Sequence, residues 1–188
     1  NKLEGIICIN DPVREEAKDV IEELKRLGIE NVIMLTGDSE SGAKSGAEAL
    51  GITEYRSQVL PEDKASIVES LKEEGRTIIM VGDGINDAPS LMRSDIGIAM
   101  GGVGSDAAIE AADMVLMHDD LKDLIIAKKI SKKTMRIAYE NIIFSLAIKM
   151  LILILSAFGI TNMWIAVFGD VGVAVIAILN AMRVNSKY

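Results

Sequence analysis

Two patterns of apolar residues divide the chain near residue 125. Before that point, short apolar runs rich in Ile, Val and Met alternate with stretches whose apolar residues recur every three or four positions. Ala17, Val20 and Leu24, for example, fall on one face of a helix. Nearly continuous apolar strands separated by amphipathic helices predict an α/β fold, with one parallel sheet covered by helices on both faces.

The spacing of these segments predicts the individual elements of the first part. The predicted strands are Gly5–Ile9, Asn31–Leu35, Thr77–Val81, Ile96–Met100 and Met114–Met117. The predicted helices are Val13–Leu27, Ser41–Leu50, Pro61–Glu74, Asn86–Arg93 and Gly104–Ala111. Parallel sheets bind ligands beyond the carboxyl ends of their strands, so the residues that follow each strand are the first candidates for a site.

After residue 125 the apolar pattern becomes almost continuous. Residues 141–159 and 163–182 are each close to the ~20 residues that cross a ~30 Å hydrocarbon layer as a helix. The short break between them allows only a tight turn, so we expect a two-helix transmembrane hairpin, entered by a helix that begins near residue 121. A helical hairpin buried in a soluble core is the alternative.

The charge distribution supports this division. Residues 1–125 carry 12 basic and 26 acidic side chains, whereas residues 126–188 carry 8 basic and 2 acidic ones. The acidic first part argues against binding to nucleic acid. Basic residues flank both open ends of the hairpin and mark the cytoplasmic side, so we expect an integral protein of the plasma membrane whose first part is cytoplasmic. The predicted divisions are a domain at 1–125, a basic cytoplasmic helix at 126–140, membrane helices at 141–159 and 163–182, and a cytoplasmic tail at 183–188.

Three segments near the strand ends carry residues suited to phosphoryl chemistry. Thr-Gly-Asp at 36–38 follows one predicted strand, and GDGINDAP at 82–89 follows the next. A hydroxyl with backbone amides can hold a phosphoryl group, and the ammonium of Lys64, in the first turn of the helix between them, can neutralise it. Asp83 and Asp87 are oxygen ligands of the kind that Mg²⁺ prefers.

Each segment alone has a simpler interpretation. The tripeptide at 36–38 could form a turn with a helix cap, Lys64 could be a solvated helix residue, and Asp83 and Asp87 could cap the helix that follows them. Their occurrence at successive strand ends of one sheet favours a common site.

Together these segments resemble the phosphorylation domain of P-type ATPases, which has a haloacid-dehalogenase-like fold. GDGINDAP is the most specific of them, and Gly-Asp-Val-Gly at 169–172 looks like part of the last membrane helices of the heavy-metal-transporting branch. The resemblance covers nearly the whole chain. It implies ATP-driven ion transport through an aspartyl-phosphate intermediate.

The resemblance also implies roles for single residues at the phosphoryl site. Thr36 and Gly37 would contact the transferred phosphoryl group, and Lys64 would neutralise its charge. Asp38 would lie near the nucleotide, which is the substrate ATP.

The remaining implied roles concern the metal cofactor Mg²⁺. Asp83 would be a ligand of Mg²⁺, while Asn86 and Asp87 would orient the phosphate and the surroundings of the metal.

The family's phosphorylated aspartate lies in Asp-Lys-Thr-Gly-Thr, and no aspartate of this sequence is followed by Lys-Thr. We therefore expect the chain to be an incomplete part of a pump, inactive by itself. Its expected partners are the actuator and nucleotide-binding domains, the other membrane helices, the lipid bilayer and the metal ion. A membrane-anchored fragment without catalysis and a soluble phosphatase of the same superfamily are the alternatives.

Lys149 and Asp170 are the ionisable residues within the two apolar spans. Counted from Tyr139 and Arg183, they lie ~15 Å and ~20 Å into the spans and so at comparable depth. Our hypothesis is that Asp170 binds the transported cation and Lys149 neutralises Asp170 when the site is empty; a structural salt bridge is the alternative.

The identity of the cation also comes from the resemblance. A lysine in one span and Asp-x-Gly in the next look like the zinc, cadmium and lead exporters, whereas copper exporters typically carry Tyr, Asn, Met and Ser in the corresponding helices. The sequence therefore favours Zn²⁺, Cd²⁺ or Pb²⁺ over copper as the transported metal.

Overall fold

The computed structural model describes residues 13–83, 85–101, 106–118, 120–160 and 162–185. Its contacts divide the chain into two compact units, residues 1–125 and residues 126–188. The predicted strand Gly5–Ile9 lies outside the described residues.

The first unit alternates helices with short strands. The strands are β1 (Ile33–Leu35), β2 (Glu54–Arg56), β3 (Ile79–Gly82), β4 (Ile96–Met100) and β5 (Met114–Leu116). The helices are α1 (Ala17–Arg26), α2 (Glu40–Leu50), α3 (Pro61–Glu73), α4 (Ala88–Arg93) and α5 (Asp106–Ala111), with a 3₁₀ turn at Ile85–Asp87 before α4.

All pairings among the described strands are parallel, as the sequence predicts, but they form two sheets. β1 pairs with β2, and β4 lies between β3 and β5. The parallel α/β architecture is therefore confirmed, while the described strands pair in these two groups and the predicted strand Gly5–Ile9 lies outside the described residues. Sequence reasoning also missed β2, whose residues Glu-Tyr-Arg form no apolar run.

The core of the first unit is built around β4. Ile98, Ala99 and Met100 are almost fully buried, and successive residues of a strand point to opposite faces. Ala99 packs against Leu91 of α4, while Ile98 and Met100 pack against residues at 121–124. The three-stranded sheet is thus covered on both faces, which fixes the loops at its carboxyl edge.

Helix α4 contains two buried serines with different surroundings. Ser94 Oγ donates to the carbonyl oxygen of Leu91 at 2.7 Å, whereas Ser90 Oγ has no hydrogen-bond partner among the described residues and is completely buried. A buried hydroxyl without a partner costs ~1–3 kcal/mol of folding free energy.

We expect Ser90→Ala to raise the free energy of unfolding by about 1 kcal/mol, since it removes this penalty without adding volume. Thermal unfolding of the complete protein, followed by circular dichroism, measures the change. Ser94→Ala is the matched control and should lower stability because its hydroxyl is bonded. A destabilised Ser90→Ala would show that the hydroxyl has a partner.

The second unit consists of two long helices. α6 spans Lys122–Ala157, and α7 (Met163–Ala181) leads into a 3₁₀ turn at Met182–Asn185. Gly159 adopts a left-handed φ of 71° after α6, and Asn162 Oδ1 accepts from the N–H of Ile165 at the start of α7. Both helices are long and apolar enough to cross a membrane, and their apolar side chains are largely exposed, which disfavours a buried soluble hairpin.

Candidate functional site

The loop after β1 is closed by hydrogen bonds between its own residues. Thr36 Oγ1 accepts from the N–H of Asp38 at 3.1 Å and donates to Asp38 Oδ2 at 3.0 Å. The cap of α2 is the next residue, Ser39, whose hydroxyl accepts from the N–H of Gly42. The tripeptide at 36–38 therefore forms a turn, as the simpler interpretation predicted. The cap of helix α2, however, is Ser39 and not a residue of the tripeptide.

Backbone hydrogen bonds tie this loop to the segment that leads into α3. The N–H of Thr36 donates to the carbonyl oxygen of Arg56, and the N–H of Val59 donates to the carbonyl oxygen of Thr36, both at 3.0 Å. The N–H of Gln58 donates to the carbonyl oxygen of Asp38 at 2.9 Å, and Gln58 takes an unusual φ of 53° to do so. The loop is thus held in a fixed place relative to the start of α3.

Glu40 adds a further tie between α2 and β2. Tyr55 Oη donates to Glu40 Oε1 at 2.9 Å, and the hydroxyl of Ser57 donates to Glu40 Oε2. The hydrogen bond from Ser57, followed in size of effect by that from Tyr55, lowers the pKa of the Glu40 carboxyl from its usual value. Both bonds stabilise the charged form of the carboxyl. Sequence reasoning missed this cluster because its partners are polar residues far apart in the chain.

Lys64 and Asp87, which the sequence places on different segments, form an ion pair. Lys64 Nζ lies 2.7 Å from Asp87 Oδ1, and the two side chains are only 19% and 10% exposed. Lys64 is therefore not a solvated helix residue. Asp87 precedes α4, but its side chain makes no cap hydrogen bond there, so the interpretation as a helix cap is also wrong for Asp87.

Gly82 allows Asp87 to take this position. A Cβ at Gly82 would lie 2.6 Å from Cβ of Asp87, closer than two such atoms approach in real proteins. The absence of a side chain at the end of β3 therefore brings the Asp87 carboxylate against the strand and into reach of Lys64.

Asp83 follows β3 directly, and both it and Asn86 are exposed. No group of three or more metal-binding side chains occurs in the described part of the chain. Mg²⁺, however, is usually held by one or two carboxylates together with phosphate oxygens and water. The exposed carboxylate of Asp83, four positions before an Asp87 that pairs with Lys64, fits this kind of ligand set.

In the second unit, the structure brings together the two ionisable residues of the apolar spans. Lys149 Nζ of α6 lies 3.1 Å from Asp170 Oδ1 of α7. Their side chains are 59% and 72% exposed, so the pair lies on the surface of the hairpin and both groups remain accessible.

Comparison with known proteins gives consistent likenesses. The family model described as haloacid dehalogenase-like hydrolase matches residues 1–95. The cadmium, zinc and cobalt-transporting ATPase of Bacillus subtilis (strain 168) is 50% identical over 96% of this chain and 26% of its own length. The zinc-transporting ATPase of Synechocystis sp. is 48% identical over 96% of this chain and 25% of its own. The chain thus spans about a quarter of the length of these relatives.

Solved structures give the same result. A zinc-transporting PIB-type ATPase in the E2.Pi state matches 93% of this chain and 28% of its own, with 38% identity and a TM-score of 0.86. The catalytic domain of the CPx-ATPase CopB-B matches 62% of this chain and 46% of its own, with 40% identity and a TM-score of 0.56.

Proposed function

Because the chain belongs to the haloacid dehalogenase-like hydrolase family, we propose that it is part of a P-type ATPase that uses ATP to export Zn²⁺, Cd²⁺ or Pb²⁺. Relatives named as cadmium- and zinc-transporting ATPases support this proposal at 41–50% identity. The first unit would be the second half of the phosphorylation domain. The nucleophilic aspartate, the actuator domain and the nucleotide-binding domain would come from the rest of the pump.

At the phosphoryl site, fixed donors of the first unit would stabilise the charge that develops during transfer. The hydroxyl of Thr36 and the amide of Gly37 would donate to phosphoryl oxygens, and the ammonium of Lys64 would neutralise them. Asp87 would hold the side chain of Lys64 in place through their ion pair. Asp83 would hold Mg²⁺, which supplies positive charge to the phosphoryl oxygens when bound.

The ion pair between Lys149 and Asp170 carries the assignment of the transported metal. Charged side chains in an apolar span are costly and usually serve transport or pair with each other. A carboxylate suits a divalent ion, whereas Cu⁺ prefers thiolate and thioether ligands. Asp170 would bind the cation, and Lys149 would replace the cation as its counter-charge when the site is empty.

The basic residues at the open ends of α6 and α7 support an orientation in the membrane. Lys128, Lys132 and Arg136 precede the first apolar span, and Arg183 follows the second. Since an excess of Lys and Arg marks the cytoplasmic side, both ends of the hairpin and the first unit would lie in the cytoplasm, and the connection between the two apolar spans outside the plasma membrane.

The test is the ATPase activity of the complete pump in lipid vesicles with different ions. Zn²⁺, Cd²⁺ or Pb²⁺ should stimulate ATP hydrolysis at least about tenfold more than Cu⁺, because only the divalent ions match a carboxylate site. Stimulation by Cu⁺ alone would favour a copper transporter. No stimulation by any of these ions would contradict the proposed function.

A further inference from the structure

A chain of polar side chains joins α6 to α7 near the open end of the hairpin. Asn141 Nδ2 donates to the carbonyl oxygen of Ala177 at 3.0 Å, and Asn180 Nδ2 donates to Asn141 Oδ1 at 2.8 Å. Arg183 Nη1 then donates to Asn180 Oδ1 at 2.8 Å and lies 3.9 Å from Glu140 Oε2. The side-chain amide of each asparagine thus donates one hydrogen bond and accepts another.

These contacts are specific to one alignment of the two helices. Asn141 and Asn180 are half-buried, and an amide without a partner in an apolar environment is costly. A slip of one residue along a helix moves a side chain by ~1.5 Å and turns it by ~100°, which would separate the two asparagines.

The ion pair by itself does not define the alignment so closely. Lys149 has a long, flexible side chain, and both it and Asp170 are mostly exposed, so several alignments would allow them to meet. Lys149 follows Asn141 by eight positions and Asp170 precedes Asn180 by ten. The asparagine contacts therefore lie ~12–15 Å along the helices from the charged residues.

A close contact beside Asp170 makes the position of α7 sensitive to this alignment. A Cβ on Gly169 would lie 2.0 Å from Cδ1 of Ile152, so the helices touch where Gly169 lacks a side chain. A slip of one residue would place Phe168 or Asp170, which have side chains, at the level of Ile152 and push the helices apart.

We propose that Asn141 and Asn180 are positioning residues that fix the alignment of α6 and α7 and so present Asp170, with Lys149 opposite, to the transported cation. The identity of that cation rests on the proposed function. The alignment itself does not, and it can be measured separately.

The first experiment measures alignment in the complete pump without requiring transport. Cysteines replace Lys149 and Asp170, a short bifunctional thiol reagent bridges them, and mass spectrometry quantifies the bridged peptide. We expect Asn141→Leu, which is apolar and of similar size, to lower the yield at least fivefold. Ser156→Ala, a change at an exposed polar residue of the same helix, should leave the yield unchanged. An unchanged yield in Asn141→Leu would overturn the proposal.

The second experiment measures Zn²⁺-stimulated ATPase activity with the native Lys149 and Asp170. Asn141→Leu and Asn180→Leu should each raise the Zn²⁺ concentration for half-maximal activity about tenfold and change the maximal rate less than twofold. Asn180→Gln keeps an amide and should stay within threefold of the wild type. A loss of maximal rate with unchanged half-saturation would overturn the positioning role. Absence of stimulation in the wild type would instead overturn the proposed function, while the cross-linking yield would still decide the alignment.

Discussion

Asp83→Asn in the complete pump is expected to lower the level of phosphorylated enzyme formed from ATP by about 10²–10³-fold. Asp83 is the exposed carboxylate that follows β3, whereas Asp87 is engaged with Lys64. Loss of its charge would remove the proposed Mg²⁺ ligand, while the similar size of asparagine should preserve the fold. Incorporation of label from ATP into the protein measures the effect.

Asp63→Asn is the matched control for this change. Asp63 is an exposed aspartate in the first turn of α3, next to Lys64 but outside the proposed ligand set. The control should form normal amounts of phosphorylated enzyme. Normal amounts in Asp83→Asn, with equal expression and membrane insertion, would contradict the assignment of Asp83.

Asp170→Ala is expected to remove both high-affinity binding of Zn²⁺ or Cd²⁺ and metal-stimulated ATPase activity. A divalent ion that enters an apolar environment needs compensating negative charge, and the carboxylate of Asp170 is the acidic group of the two spans. Lys149→Ala should retain binding but slow release or the return of the empty site, since Asp170 then lacks its counter-charge. Equilibrium metal binding and ATPase assays on the complete pump measure both variants.

The double variant Lys149→Ala/Asp170→Ala separates a ligand from a structural pair. If the two residues only hold the helices together, removing both leaves no unpaired charge and should restore much of the lost activity. If Asp170 binds the cation, the double variant should be as inactive as Asp170→Ala. Transport near the wild-type level in the double variant would therefore defeat the ligand hypothesis.

The elements with long apolar runs could be predicted from the sequence. Ile96–Met100 matches β4 residue for residue because the strand is buried on both faces. The resemblance to zinc- and cadmium-transporting ATPases, drawn from GDGINDAP and the hairpin, is confirmed by the comparisons. The roles of the site residues remain predictions, although the structure does bring Lys149 and Asp170 together as their estimated depths suggested.

The parts that could not be predicted depend on contacts between polar residues far apart in the chain. The strand ends predicted a common site for Lys64 and Asp87, but the direct bond between these residues, 23 positions apart, could not be predicted. The contact of Asn141 with Asn180 was not predicted, because the charge pattern of the spans marks ionisable residues and neither asparagine is ionisable. Amides in an apolar span are also costly without partners, so they were the signal that would have indicated this contact.

Gly82 has a consequence for how the gene can vary. Every missense mutation of its codon adds a Cβ, and even alanine would place that atom 2.6 Å from Cβ of Asp87. No conservative substitution is therefore possible at position 82. Even Gly82→Ala would displace Asp87 and, with it, Lys64. Inherited variation near the phosphoryl site should instead accumulate at exposed residues outside the proposed ligand set, such as Asp63, where a new side chain meets solvent.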